Sequence, residues 1–477
     1  MKKLFYLLLF INLSVLGDSF HSIQGFYGQR AAGLGGAYTA VSDDPSGAYY
    51  NPAGLAFAFD DSISISASNY KIITKKYENV DSPSQTYTQT SKTYLPNFIG
   101  VVKNMGKYKM GISIVNTIND SFNRNTQIIA PLFSPTINNT KIYNLENYKQ
   151  YLFGPSFAYA LNSKLSLGAT FYFFEDTQGI ARTYLQQYTD GSYVSQSYVD
   201  NRRTLGLNPI VGLQYMVTPK LSVGFSLRQK IVTSGNRLYS KFYLDSLQSS
   251  STNNVDLTEG THKANAASEG SYITIKRPLN KDIPQNKEFR LGSAWFATRK
   301  LMVATDLIYT EAYSKKKSNT EFSVGSNARL IQNDSEILEL NYKSTLNYAI
   351  GFEYFLSDIL SFSAGTFTNN ANTKEIKWAD SAIDLSIRSL VGTELIAKSG
   401  NNDLVYKIPR AQENPRNEYV NNIGYSFGLT WATAKASISL SIIREVGKGQ
   451  SRIDANSLSQ PLLYEGFSFY IVASSKG

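Results

Sequence analysis

The sequence contains no cysteine. Disulfides, thiolate metal sites, cysteine nucleophiles and a lipid-modified N-terminal cysteine are therefore excluded. Histidine is almost as scarce: His21 and His262 are the two present, and they lie far apart. Neither belongs to a cluster with ligand-like or triad-like partners, so both read as solvated or loop residues. No cofactor, no metal and no catalytic residue is expected, and the chain does not read as an enzyme. Charged residues make up only 18% of the chain, and the net charge of +10 is spread without a long basic block. The densest run, Lys315-Lys316-Lys317, falls between strand candidates and reads as a solvated loop. Nucleic-acid binding is not expected. Downstream of the N-terminus there is no apolar run of about 18 residues, which argues against a helical membrane protein.

What is present points elsewhere. Lys2 and Lys3 precede an apolar run, Leu4 to Leu16, and Val15-Leu16-Gly17 offers a cleavage point. Residues 1–17 read as a secretory signal peptide, with Asp18 as the first mature residue. Tyrosine (33) and phenylalanine (26) are abundant beside serine, threonine and asparagine. That composition favours strands over helices.

The strongest pattern is alternation. Leu205, Leu207, Pro209, Val211, Leu213, Tyr215 and Val217 occupy one face of a predicted strand, and Gly206, Asn208, Ile210, Gly212, Gln214 and Met216 the other. After Thr218-Pro219 the pattern resumes with Leu221, Val223, Phe225 and Leu227, opposed by Ser222, Gly224, Ser226, Arg228 and Lys230. Two such strands and a short turn make a hairpin. The unit recurs at 94–114, 151–173, 289–307, 346–364 and 419–442, and single strands open the series at 63–71 and close it at 467–473. Six hairpins and two single strands give fourteen strands. Short turns alternate with long links at 72–93, 119–148, 177–203, 233–285, 312–343, 370–418 and 447–463. Strands of about 9–11 residues, short turns on one rim and long polar loops on the other predict an all-β, 14-stranded antiparallel transmembrane β-barrel over residues 59–477. Closure leaves no free edge, as a bilayer requires. Tyr159, Tyr215, Trp295, Tyr354 and Trp431 lie beside the short turns, where an interfacial aromatic belt belongs. A soluble solenoid or stacked sandwiches would not predict short and long links in strict alternation.

A barrel of this size leaves a lumen, and residues 18–58 precede its first strand. "RAAGLGGAYTAVSDDPSGAYYNPAGLA", Arg30 to Ala56, is rich in small residues that permit close backbone packing. A phosphate loop is set aside because no Lys-Ser/Thr follows, and a disordered tail would not carry Leu34, Tyr38, Tyr49, Tyr50 and Leu55. The segment is expected to fold inside the barrel as a small hatch. It resembles the N-terminal hatch of the long-chain fatty-acid transporter family of outer membranes (FadL/TodX-like). Arg30, Ala31, Gly33, Gly35, Gly36, Ala37, Asp43, Asp44, Asn51, Pro52, Ala53 and Gly54 carry the match. The resemblance implies a plugged, monomeric outer-membrane barrel that takes up a hydrophobic ligand such as a fatty acid, amid outer-membrane lipid and lipopolysaccharide. Arg30, Gly33, Gly35, Gly36, Asp43, Asp44, Asn51, Pro52, Ala53 and Gly54 are the expected hatch and gating residues. One departure is that the chain runs past Phe469-Tyr470 to Ser474-Ser475-Lys476-Gly477 instead of ending on an aromatic residue.

Within the lumen, Arg228, Lys230 and Arg290 face inward and are candidate partners for a carboxylate head group. Phe174, Phe296 and Phe355 are candidate contacts for an apolar chain. The plainer possibility is that these bases pair with Asp306 or other acids as ordinary lumen charges. The alternative function is a structural or partner-binding barrel, secretion-associated or adhesin-like, without small-molecule cargo. A lumen packed solid would favour it.

Overall fold

The computed structural model describes residues 21–58, 61–80, 85–129, 137–188, 193–245, 270–278, 285–326, 329–375, 394–399, 402–407, 411–413, 418–452 and 459–476. The proposed signal peptide, His262 and part of every long link lie outside the described residues. The sheet segments join end to end into a closed antiparallel barrel of fourteen strands. In chain order these are Ser62–Glu78; Thr86–Leu95 continued by Phe98–Met105; Tyr108–Ile129; Ile137–Ala160; Leu165–Tyr188; Tyr193–Thr218; and Leu221–Gln229 continued by Ile231–Asp245. Then follow Gly270–Pro278 continued by Lys287–Phe296; Leu301–Thr310 continued by Tyr313–Ser326; Arg329–Tyr342 continued by Thr345–Phe355; Leu360–Asn369; Tyr419–Val420 continued by Asn422–Ala432; Ala436–Ser451; and Gln460–Lys476. The last strand pairs with the first from Ser62 with Lys476 to Tyr77 with Leu462, which closes the wall.

The alternation in the sequence maps onto the two faces of the wall. On the sixth strand Val211, Leu213, Tyr215 and Val217 are exposed outward, while Ile210 and Gln214 are buried inward. Trp295, Tyr354 and Trp431 stand outward at the short-turn rim, and Tyr108 stacks on Tyr159 there. Outward apolar side chains are the normal state of a wall that faces hydrocarbon.

One expectation is corrected. The strands are not uniformly about 9–11 residues, and the long links are not all loop. The fourth strand has 24 residues and the sixth has 26. The surplus lies on the long-link side, at 137–150 and 193–204, inside segments read as loops. Beyond Tyr151 the outward positions mix Lys149 and Asn147 with Leu145 and Tyr143, so the apolar alternation is no longer continuous, while inward residues such as Ile142 and Gln150 stay buried. Backbone pairing does not need that alternation, and the ladder of the fourth and fifth strands continues to Ile137 and Tyr188.

Residues 21–58 lie inside the barrel, packed on its inner wall. They form helix α1 (Gln29–Gly33), helix α2 (Gly47–Tyr50) and a 3-10 turn at Pro52–Phe57. Tyr27, Tyr38, Tyr50, Leu34 and Leu55 are fully buried. The main apolar cluster joins this insert to inward residues of the wall, among them Tyr172, Phe174, Ile210 and Phe367. His21, read as solvated, is buried and bonds the Val420 carbonyl.

Candidate functional site

The insert sits in a seat built from glycines and hydroxyls on the inner wall. A β-carbon on Gly168 would strike Pro52; on Gly224, Thr39; on Gly351 or Gly365, Leu34. These glycines remove side chains where the insert backbone meets the wall. Between them the wall donates to the insert's carbonyls: Ser166 Oγ to Ala53 (2.8 Å), Thr170 Oγ1 to Ala48 (2.8 Å), Ser226 Oγ to Tyr50 (2.8 Å) and Ser426 Oγ to Gly33 (2.9 Å). Backbone acceptors that short helices leave unpaired are thus satisfied by the barrel.

The Asn-Pro-Ala-Gly stretch is the pivot of this packing. Asn51 Oδ1 accepts from the Ala53 amide, and Pro52 opens the 3-10 turn. Asn51 Nδ2 donates to Thr39 O (2.8 Å) within the insert and to Leu213 O (3.1 Å) on the wall. A β-carbon on Gly54 would meet Ser42 O. Gly35 and Gly36 hold φ of 63° and 84°, a left-handed backbone that suits glycine.

Arg30 ties the insert to itself and to the wall. Its guanidinium contacts Asp43 Oδ2 at 2.7 Å and Glu353 Oε2 of the tenth strand at 2.7 Å. Burial opposes the Arg30 charge, but Asp43 and Glu353 outweigh it and hold the group well above the ordinary arginine value. Burial raises the Asp44 carboxyl, opposed by its bond from Ser46. Asp306 accepts from the Tyr38 and Thr39 amides at 3.2 and 3.0 Å and from Thr39 Oγ1 at 2.6 Å.

The wall is interrupted beside the start of the insert. Pro96-Asn97 splits the second strand, because proline has no N–H to give a ladder. The second and third strands pair from Phe98 with Val115 to Met105 with Tyr108, and then only at Ser91 with Phe122. Across the gap the Asn116 amide donates to Asn97 O (2.9 Å), Thr93 Oγ1 to Asn119 O (2.6 Å) and the Ser121 amide to Ser91 Oγ (2.9 Å). The third strand also carries a register shift between Asn116 and Ile118. Behind the gap a small polar cleft is lined by Gln24, Gly25 and Tyr27 of the insert and by Lys71, Thr93, Asn97, Asn116, Thr117 and Asn119.

A sequence family described as outer membrane protein transport protein (OMPP1/FadL/TodX) matches residues 21–380. The chain belongs to this family. Solved members share its fold. A Pseudomonas aeruginosa FadL homologue is 14% identical with a TM-score of 0.56, covering 97% of this chain and 99% of its own. The Pseudomonas putida toluene transporter TodX is 11% identical with a TM-score of 0.61, covering 96% and 99%. The CymD monoaromatic hydrocarbon channel is 14% identical with a TM-score of 0.54, covering 96% and 98%. No curated protein matches by sequence. The chain is therefore an outer-membrane β-barrel of the FadL/TodX family, whose members transport hydrophobic compounds.

In this FadL/TodX barrel the six candidate ligand contacts do not form one site. Arg228 and Arg290 converge on Glu288, at 3.2 and 2.7 Å. They also lie over the insert's Tyr49 and Tyr50 rings, at 4.2 and 5.6 Å, and Arg228 donates to Tyr49 O. Lys230 lies 4.0 Å from Asp176 and over the Phe174 ring at 5.4 Å. The lumen bases are thus paired with acids: Arg228 and Arg290 with Glu288, and Lys230 with Asp176. Phe296 and Phe355 stack on each other at the short-turn rim, with centroids 6.5 Å apart. Six strand residues separate Arg290 from Phe296, about 20 Å at strand rise. Sequence reasoning missed Glu353, Glu288 and the gap residues Asn97 and Asn116. A Pro-Asn pair inside an otherwise apolar strand was the available signal for the gap.

Proposed function

We propose that this protein is a passive channel for hydrophobic molecules, in which residues 18–58 act as the hatch and the gap at Pro96-Asn97 as a lateral way out. The observation that carries this reading is the coincidence of two features. The insert packs against the inner wall, and the wall's backbone pairing lapses beside the insert's first residues. A molecule entering from the long-link side meets the insert before the short-turn rim. A break in the ladder at that level offers an exit into the bilayer, where an apolar cargo is at home. Arg30, Asp43 and Glu353 serve as the hatch's ionic tie, and Gly33, Gly35, Gly36, Asp44, Asn51, Pro52, Ala53 and Gly54 shape its seat.

Long-chain fatty acids are the cargo this reading favours, with Lys230 as the head-group partner. Arg228 and Arg290 share Glu288 with each other and are committed to the hatch, whereas Lys230 has its acid at 4.0 Å and a partly accessible side chain beside Phe174. Neutral aromatic hydrocarbons, the compounds of the toluene transporter TodX and the CymD monoaromatic hydrocarbon channel, are the competing class. The test is uptake of a labelled long-chain fatty acid and of labelled toluene by cells making this chain, against cells without it. Faster uptake of either supports the channel. Fatty-acid uptake lost in Lys230→Met while toluene uptake persists supports the head-group role. Uptake of both at background rates overturns the channel in favour of the partner-binding barrel.

A further inference from the structure

Asn97 and Asn116 are 3% and 9% exposed, and the side-chain amide oxygen of each lacks a hydrogen-bond partner. Both residues line the cleft behind the wall gap. The Asn97 amide is oriented by its own donor, since Nδ2 bonds Phe26 O at 2.8 Å. Its oxygen therefore has no alternative role in holding the hatch. Among the hydroxyls that line the cleft, Thr93 Oγ1 donates to Asn119 O and Thr117 Oγ1 to the Gln150 side chain at 2.8 Å, and Lys71 pairs with Asp120 at 3.2 Å, so none of these bonds reaches the Asn97 or Asn116 oxygen. A buried carbonyl oxygen without a donor is costly, and native proteins rarely leave one so.

We propose that this cleft is a hydrogen-bond-donor subsite: it receives the hydroxyl group of a hydrophobic alcohol or phenol, with Asn97 and Asn116 as the acceptors. The inference rests on the transport reading above and names a cargo feature that the reading leaves open. A molecule with one hydroxyl at its end supplies what the two oxygens lack, while its apolar remainder faces the gap and the bilayer. A plain hydrocarbon or an ether of the same length leaves both oxygens unpaired. Sites with buried polar groups discriminate strongly against analogues that lack the matching donor.

The experiment compares 1-dodecanol with its methyl ether. Uptake is measured in cells making the full chain, and binding is measured by calorimetry on the purified barrel in detergent. In the native protein the alcohol is expected to bind and enter about five- to tenfold better than the ether, one neutral hydrogen bond's worth. Asn116→Leu, which keeps the backbone bond to Asn97 O, is expected to reduce the ratio, and Asn97→Leu combined with Asn116→Leu to bring it close to one. Heat-modifiable gel mobility verifies that each variant is folded. Equal binding of alcohol and ether by the native protein overturns the subsite and leaves a cleft that holds water only. A preference that survives both substitutions also overturns it. A hydroxyl preference in binding without uptake of either compound supports the subsite and overturns the transport reading alone.

Discussion

Two ion pairs in this barrel have the same 2.7 Å separation and belong to different worlds. Arg30 with Glu353 lies inside the wall, where the Glu353 side chain is 4% accessible. Arg203 with Glu175 lies outside it, and its side chains are 57% and 41% accessible. Both Glu175 and Glu353 sit on strands whose residues alternate between the two faces. The inner face is defined by what it lacks, glycines where the insert lies, and by donors aimed at the insert's carbonyls. The outer face is defined by side chains that an aqueous protein would hide, such as Phe171, Leu291 and Trp431. Distance alone does not rank these ion pairs. Burial and the hydrogen bonds around them do.

The largest expected effect comes from removing the insert's side of the inner face. Deleting residues 30–56 should leave a barrel that still runs anomalously unless boiled, because the strand ladder does not depend on the insert. Single-channel conductance should rise from near background to that of an open pore. Conductance unchanged in a folded deletion variant would place the segment's role elsewhere. Next is the seat. Gly224→Val puts a branched side chain against Thr39, and Gly36→Val forces a left-handed backbone and meets Phe26. Each is expected to destabilise hatch docking by about 1–3 kcal/mol. That should appear as intermittent openings in planar bilayers and faster protease nicking of the hatch.

Glu353→Gln should have a smaller effect. Arg30 retains Asp43, at 2.9 and 2.7 Å, and glutamine keeps an acceptor, so the loss is about 1 kcal/mol, the difference between a charged and a neutral hydrogen bond. Salt-sensitive leakage of small polar antibiotics would report it. The smallest effect is expected at Arg203→Ala on the outside, under about 0.5 kcal/mol in unfolding. Urea titration of the detergent-folded barrel measures it. An Arg203→Ala effect equal to that of Glu353→Gln would erase the contrast between the two faces.

The outer face was legible because hydrocarbon contact demands an uninterrupted rule, apolar at every second residue, and Leu205 to Val217 obeys it. All fourteen spanning segments followed from that rule. The strand extensions did not, since Ile137 to Gln150 is paired without a continuous apolar face. The insert was legible by composition and by the Arg30 to Ala56 motif, but its partners were not. Which wall residue meets Arg30 depends on how the barrel's circumference brings the tenth strand beside α1, and no local spacing encodes that. The arginines at 228 and 290 were correctly placed inward, yet Glu288, two residues from Arg290 on the same face, was overlooked as their shared acid. The gap was written in Pro96-Asn97, but it gained meaning only when Asn116 and the insert's Phe26 were found against it.

The seam between the first and last strands has a kinetic consequence. Ser62 pairs with Lys476, so the ring closes only when the fourteenth strand reaches the first. The insert immediately precedes that opening strand and ends up enclosed. It must therefore be inside, or threaded inside, by the time the last register zips. Contacts this remote in sequence form slowly. The insert's own aromatic contacts, such as Tyr38 with Tyr50 and Tyr27 with Tyr49, span barely two dozen residues and can form early. The fold thus contains its own order of events: a small knot of tyrosines first, the curving sheet around it next, and the seam last.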